Sequence, residues 1–266
     1  MAMLSPSPLV IRFGAFGDMI LMIPALKLLS MRYGAPCDVV SSGGWTPPLL
    51  ERVPAAGKCV MLTSRRAPYW FNRSQQQLVA WLKQRPSGPV YVFEPDEKPL
   101  SLLKRAGIKP EWICTLREHP RQSGEHILAH AMRLARATPR ALQAGGATPF
   151  DFPSTPDTRP LLTEQDRRDC ADWLDAHKAT SDPLVLLQPG NKKTMKRGNP
   201  RRPSNVDYWS EDNWAAVISG LRQTLPPARV IICGAPAERS IAENIVARLP
   251  EGPEGVIIGG GELPLP

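Results

Sequence analysis

The chain alternates short apolar runs with longer segments in which apolar residues recur at helical spacing. The runs predict strands and the periodic segments predict helices, an alternation typical of a parallel sheet covered by helices. In the first half, Pro24 should either kink the first helix or begin its main part, since proline removes an internal hydrogen bond. The predicted strands are Leu9–Phe13, Asp38–Ser41, Cys59–Leu62, Val90–Phe93 and Trp112–Cys114, and the predicted helices are about 18–33, 74–84, 100–106 and 124–137.

The segment 141–160 interrupts this rhythm, because it combines several glycines and prolines with little apolar periodicity. It is predicted to link an N-terminal domain, 1–140, to a C-terminal domain, 161–266. The α/β alternation restarts in the second domain. Its predicted elements are a helix over 163–177, a strand over 184–187, a helix over 212–225, a strand over 230–233, a helix over 237–249 and a strand from Val256.

The second domain is expected to be incomplete. A doubly wound domain normally has five or six strands. The sequence up to Pro266 provides three predicted strands after the linker, so about two or three units of roughly 30 residues each would be missing. The predicted fold is therefore α/β, with two Rossmann-like, doubly wound parallel-sheet domains of which the second is truncated.

Composition adds a bias toward anionic partners. The 266 residues are 42% hydrophobic, enough for a real core, and carry a net charge of +8. This charge could attract nucleic acid, nucleotide phosphates or an anionic membrane surface. The five cysteines have no CxxC spacing, which favours reduced, structural thiols in the cytoplasm. We expect no signal peptide, because the N-terminus lacks a basic start and a small-residue cleavage site. We also expect no membrane span, since no apolar run reaches ~18 residues.

The most informative motif is the turn from Phe13 to Met19, between the first predicted strand and helix. Gly14 and Gly17 allow a tight turn and a close approach of the backbone to a ligand, and Asp18 lies near the helix start. Taken alone, Asp18 is better explained as a helix cap, because acidic caps are common. The motif is not the GxGxxG of a dinucleotide fold, which argues against a nicotinamide or flavin enzyme.

Two later junctions repeat the arrangement of strand, glycine and polar residue. Gly190 and Asn191 lead into a row of cations in which a diphosphate would meet backbone donors and ammonium groups; the lysines concerned are Lys192, Lys193 and Lys196. At the third junction, Gly234 precedes Glu238 in the first turn of a helix. An acid there could accept hydrogen bonds from ribose hydroxyls or could cap the helix.

The histidines do not favour metal chemistry. His126 and His130 have the i, i+4 spacing of a metal pair, but the sequence around them is not HExxH. No serine or cysteine occupies a nucleophile-elbow sequence. The aromatic residues do not interleave with the cations of the basic loop, which argues against nucleic acid as the partner.

Together, the three junctions resemble the glycosyltransferase family that contains the ADP-heptose:lipopolysaccharide heptosyltransferases. The resemblance covers nearly the whole chain, and Trp209–Trp214 is similar to the family's helix start with Ser210 in place of a proline. The matching segments are 9–26, 186–190 and 230–239.

The resemblance implies the GT-B architecture and an inverting transfer of heptose from ADP-heptose to a lipopolysaccharide inner-core acceptor. Asp18 would be the general base, one of Lys192, Lys193 and Lys196 would hold the diphosphate with Lys196 slightly favoured, and Glu238 would lie near the nucleoside. No metal or other cofactor is expected. The partners implied are an ADP-sugar donor, a lipid-linked saccharide acceptor and the anionic surface of the inner membrane on its cytoplasmic side, without nucleic acid.

The family also has an Asp-Ser/Thr-Gly-Pro-x-x-His segment that completes the donor site, and this sequence has none before Pro266. We therefore expect either a fragment of a longer enzyme or a truncated, inactive product. The alternative function is a non-catalytic module that binds a nucleotide or phosphate.

Overall fold

The chain forms two compact units, which we call unit 1 (Met1–Leu161) and unit 2 (Leu162–Pro266). The structure is a computed structural model that describes residues 7–64, 67–143, 159–191 and 208–262. Each unit has its own parallel sheet, and the sheet of unit 2 is smaller. The predicted α/β class with two parallel-sheet domains is confirmed. Most of the predicted linker, 144–158, lies outside the described residues.

Within the described residues, unit 1 contains a five-stranded sheet in the order β3-β2-β1-β4-β5. Leu9–Ile11 forms β1, which pairs in parallel with β2 on one side and β4 on the other. The strands that surround it are β2 (Cys37–Ser41), β3 (Ala56–Met61), β4 (Val90–Val92) and β5 (Ile113–Thr115). The carboxyl ends of these strands meet at one edge, where open α/β sheets bind ligands.

Helices cover both faces of this sheet. They are α1 (Phe16–Ile20), α2 (Ile23–Tyr33), α3 (Thr46–Glu51), α4 (Arg73–Gln84), α5 (Lys98–Arg105), α6 (Ile127–Arg136) and α7 (Arg140–Gln143). Val10 packs into one apolar cluster with residues of α2 and α6, whereas Leu9 and Ile11 pack into another with residues of α4 and α5. This alternation follows from the strand geometry, in which successive side chains point to opposite faces.

The predicted first helix is divided in two. The α1 helix ends at Ile20, and α2 begins at Ile23 with Pro24 in its first turn. Proline fits there because the first backbone N–H groups of a helix have no partner within it. Pro24 therefore begins the main helix, one of the two outcomes that the sequence allowed.

In the described part of unit 2, three parallel strands are ordered β6-β7-β8. They are β6 (Leu184–Leu187), β7 (Arg229–Ile232) and β8 (Val256–Ile258), and the helices are α8 (Glu164–Ala176), α9 (Glu211–Thr224) and α10 (Arg239–Val246). Val230 and Ile232 on β7 pack against Ile218 of α9 and Ile245 of α10, which gives this unit a core of its own. Among the described residues, no helix is both long enough and apolar enough to cross a membrane.

Candidate active site

Asp18 lies at the carboxyl edge of the unit 1 sheet, in the first turn of α1. Its Oδ2 accepts a hydrogen bond of 2.7 Å from the backbone N–H of Ala15. The capping role that the sequence suggested is therefore present. This one hydrogen bond does not use the whole accepting capacity of the carboxylate, which has about four lone-pair sites. With its side chain 32% exposed, Asp18 can also reach a ligand.

Gly14 is required by the position of this carboxylate. A Cβ atom on Gly14 would lie 2.3 Å from the Cβ of Asp18 and 2.9 Å from its Oδ2, closer than real contacts allow. Around Gly17, in contrast, a Cβ atom would meet nothing within 4 Å. The sequence assigned both glycines to ligand approach, but the structure gives Gly14 an intramolecular reason: it makes room for Asp18.

Arg12 and Glu94 extend the site, and the sequence analysis missed both. Arg12 Nη2 lies 3.2 Å from Asp18 Oδ1, and Arg12 Nη1 lies 3.5 Å from Glu94 Oε1. The same Nη1 donates a 2.6 Å hydrogen bond to the carbonyl oxygen of Phe93. Arg12 is thereby held between two carboxylates and presents its charge beside Asp18.

Glu94 is buried just beyond the end of β4, the strand next to β1, with Phe93 between the strand end and Glu94. Its Oε1 accepts a 2.6 Å hydrogen bond from the backbone N–H of Phe13. Because Phe13 and Arg12 precede the Gly14 turn, Glu94 fixes the stretch of backbone that leads to Asp18. The sequence does contain a signal for this role, since an acidic residue follows the neighbouring predicted strand at the same edge.

Replacing Glu94 should therefore destabilise the protein. Glu94→Ala would leave the Phe13 N–H without this acceptor and Arg12 with one carboxylate fewer, at an expected cost of about 2 to 4 kcal/mol. Glu94→Gln keeps an oxygen for the Phe13 N–H and should cost less. Urea unfolding of both variants measures the difference. Equal midpoints for Glu94→Ala and the wild type would contradict this account of Glu94.

A cavity of about 350 Å³ opens beside Asp18. Arg12 and Arg121 give it positive charge, and Phe93, Leu116 and Ile127 give it apolar walls. Pockets of this size and mixed character are typical of small-molecule sites. The cavity therefore offers Asp18 a place where a hydroxyl-bearing substrate could bind.

The histidine pair that the sequence singled out is used within the chain. His126 Nδ1 accepts from the N–H of Leu128 at the start of α6, and His130 Nε2 lies 2.6 Å from the carbonyl oxygen of His119. In the described ranges, no group of three or more His, Cys, Asp or Glu side chains could hold a metal ion. Burial raises the pKa of Cys59 to about 11 and that of Cys114 to about 12, so these thiols stay protonated at neutral pH.

Unit 2 repeats the arrangement of glycine and acid. Glu238 is buried after β7, and its Oε2 accepts a 2.9 Å hydrogen bond from the backbone N–H of Ala235. A Cβ atom on Gly190 would lie 2.0 Å from Glu238 Oε1, and one on Gly234 would lie 3.3 Å from Glu238 Oε2. The structure thus brings Gly190, Gly234 and Glu238 together at the carboxyl edge of β6 and β7.

The structure says less about the other site residues that the sequence predicts in unit 2. Asn191 follows Gly190 and is partly exposed. The three lysines predicted to bind a diphosphate, Lys192, Lys193 and Lys196, lie outside the described residues. Their role stays a prediction from sequence.

The junction after β8 carries a further polar cluster around Glu262. Its Oε2 accepts from Trp173 Nε1 at 3.1 Å and lies 3.4 Å from His177 Nε2, while its Oε1 lies 3.5 Å from Arg239 Nη1. This cluster ties the end of β8 to α8 and α10. All three strand ends of unit 2 within the described residues therefore bear polar side chains.

The chain was compared with protein-family models, with curated proteins and with solved structures. No protein-family model matches the sequence, and no curated protein matches it. A solved structure of a family 9 glycosyl transferase from Veillonella parvula DSM 2008 matches with a TM-score of 0.65 and 15% identity, over 99% of this chain and 72% of that one. The chain has the fold of the family 9 glycosyltransferases.

Two Escherichia coli structures of this fold give the same result. ADP-heptose lps heptosyltransferase II matches with a TM-score of 0.64 and 18% identity, over 97% of this chain and 73% of that one. Heptosyltransferase WaaC with ADP matches with a TM-score of 0.61 and 15% identity, over 96% of this chain and 74% of that one. The likeness to family 9 glycosyltransferases thus extends through both units, at a low level of sequence identity.

Proposed function

We propose that this protein is a glycosyltransferase that moves heptose from ADP-heptose to a hydroxyl of a lipopolysaccharide inner-core acceptor. The observation that carries the proposal is the Asp18 carboxylate, which is fixed at the carboxyl edge of β1 and lines a cavity of about 350 Å³. The fold shared with family 9 glycosyltransferases supports the same chemistry, since one of those structures holds ADP.

In the proposed reaction, Asp18 takes the proton of the acceptor hydroxyl. The hydroxyl oxygen then forms a bond to the anomeric carbon of the sugar while the bond from that carbon to the diphosphate oxygen breaks. ADP leaves with the electron pair of the broken bond, and the anomeric configuration inverts. Arg12 serves as a positioning residue, because its ion pair holds Oδ1 while Oδ2 is held by Ala15.

The donor would bind unit 2. Glu238 would accept hydrogen bonds from the ribose hydroxyls, and Gly190 and Gly234 would keep the backbone close to the nucleotide. The leaving diphosphate needs positive charge. We assign that role to the backbone at Asn191 and to Lys192, Lys193 and Lys196, with no metal ion required. We further propose a cytoplasmic enzyme that works at the surface of the inner membrane.

The direct test is to incubate the full chain with ADP-heptose and a lipid-linked inner-core acceptor and to analyse the product by mass spectrometry. Transfer of one heptose, with release of ADP, is the expected result. Calorimetry with ADP separates the alternatives. Binding of ADP without turnover would show that the chain is a nucleotide-binding module and not an enzyme. If ADP did not bind and no heptose were transferred, the proposal would be contradicted altogether.

A further inference from the structure

Two large aromatic side chains of unit 1 are displayed to solvent on the turn that follows β3. Trp70 and Phe71 are 72% and 88% exposed, on a short 3-10 turn between β3 and α4. Such rings are normally buried, and an adjacent pair left in water marks an interaction site. We call the turn Tyr69–Phe71 the aromatic turn.

The aromatic turn is held in shape by amide side chains that follow it. Gln76 Nε2 donates to the carbonyl oxygens of Tyr69 and Trp70, at 3.2 and 2.9 Å. Asn72 Nδ2 and Gln75 Nε2 both donate to the carbonyl oxygen of Ser64, at 2.8 and 3.2 Å. These hydrogen bonds fix the backbone of the aromatic turn. If the exposed rings become buried against a partner, this backbone therefore loses little further conformational entropy.

Positive charge surrounds the rings. The guanidinium carbon of Arg105 lies 4.5 Å from the centre of the Tyr69 ring and 5.6 Å from that of Trp70. A cavity of about 230 Å³ beside the turn is lined by Tyr69, Lys98 and Arg105. Arg73 follows the turn on the first residue of α4 and is exposed. Aromatic rings flanked by cations are the combination that favours a membrane interface over water.

We propose that the aromatic turn docks on an anionic phospholipid surface, with Trp70 and Phe71 inserted among the headgroups and Arg105, Lys98 and Arg73 facing the lipid phosphates. The inference rests on the proposed function and deepens it, since docking would hold the protein at the surface that carries a lipid-linked acceptor. The turn follows β3, which lies two strands from β1, about 10 Å across the sheet. Phe13, next to the Gly14 turn, lines the same 230 Å³ cavity as Tyr69 and Arg105.

Vesicle co-sedimentation tests the proposal on the full chain. Wild-type protein should bind vesicles of mixed phosphatidylcholine and phosphatidylglycerol, and binding should weaken in high salt. The double variant Trp70→Ser, Phe71→Ser should bind about tenfold more weakly or worse, since two large apolar side chains no longer leave water. Arg105→Gln should weaken binding by about fivefold, the effect of one basic residue near the surface.

Met31→Ser is the matched control, because Met31 is 56% exposed in the same unit but lies on α2, away from the aromatic turn. It should bind vesicles as the wild type does. Circular dichroism of each variant establishes that the fold is retained.

A fluorescence measurement separates insertion from general attraction between the basic chain and the vesicles. Wild-type emission should shift to the blue on mixed vesicles, and Trp70→Phe should lose that shift while it still binds. Equal binding by the double variant and the wild type would overturn the proposal. Added RNA serves as a competitor for the basic surface: if RNA displaced the wild-type protein from the vesicles, and the vesicles caused no blue shift, the proposal would also be overturned. Neither readout needs donor or acceptor, so failure here would leave the transferase assay unaffected, and an inactive enzyme could still bind vesicles.

Discussion

The Asp18→Asn variant is expected to transfer heptose about 10² to 10⁴ times more slowly than the wild-type protein, the range typical for loss of a general base. The reason is chemical, because the amide oxygen of asparagine cannot take the proton from the acceptor hydroxyl. That oxygen can still accept from the N–H of Ala15, so the turn should keep its shape. The loss of the partly exposed ion pair with Arg12 should cost less than about 1 kcal/mol of stability.

The measurement is the initial rate of ADP release in the presence of acceptor, with the donor concentration varied. We expect kcat to fall and the KM for the donor to stay close to its wild-type value. Asp166→Asn is the matched control, since Asp166 also accepts from a backbone N–H at a helix start, that of Thr163 at 2.6 Å. It should leave the rate unchanged. Full activity of Asp18→Asn would remove Asp18 from the mechanism.

Gly190→Ala is expected to weaken ADP binding by about tenfold or more and to destabilise the protein by about 1 to 3 kcal/mol. The added methyl carbon would lie 2.0 Å from Glu238 Oε1 and 2.3 Å from Glu238 Cδ, so the carboxylate must move. Its other side faces Gly234 and the N–H of Ala235, which leaves little room for a small adjustment. Under the proposed function, a displaced Glu238 could no longer meet the ribose hydroxyls of the donor.

Gly220→Ala is the control for this substitution. Gly220 lies within α9, and a Cβ atom there would meet nothing within 4 Å. Alanine is the better helix former, so this variant should gain up to about 1 kcal/mol and bind ADP normally. Calorimetry and urea unfolding measure both variants. If Gly190→Ala bound ADP with wild-type affinity, Glu238 would have no part in the donor site.

A double variant, Gly190→Ala with Glu238→Ala, locates the cause of the instability. Removing the carboxylate should make room for the methyl group, so the two free-energy changes should not add. Strict additivity would mean that the methyl group clashes with something other than Glu238.

The sequence was sufficient to predict the α/β class because buried parallel strands and their covering helices leave strong, local patterns. The α3 helix shows where this reasoning fails. Its first turn contains Pro47 and Pro48, which resemble a loop in sequence, although proline is well tolerated at the start of a helix. A proline at a helix start and a proline within a loop differ in backbone conformation. A pattern of apolar residues does not distinguish these two conformations.

Only part of the candidate site was predictable from the sequence. Asp18 and Glu238 were found because each follows a glycine at a strand end, within a few residues. Arg12 and Glu94 were missed because their arrangement depends on the pairing of β1 with β4, and nothing near either residue indicates its partner. For Lys192, Lys193 and Lys196 the sequence remains the source of the proposed role.

The contacts that surround Asp18 differ greatly in the chain length that they span. Asp18 reaches Ala15 across three residues, whereas the bonds from Phe13 to Glu94 and from Arg12 to Phe93 each span 81 residues. Short-range contacts close a small loop at little entropic cost and can form early in folding, and long-range contacts must wait for the chain to be brought together. During folding, Asp18 and Arg12, which are close in sequence, should therefore take their places before Glu94, the second carboxylate beside Arg12, is brought to the site.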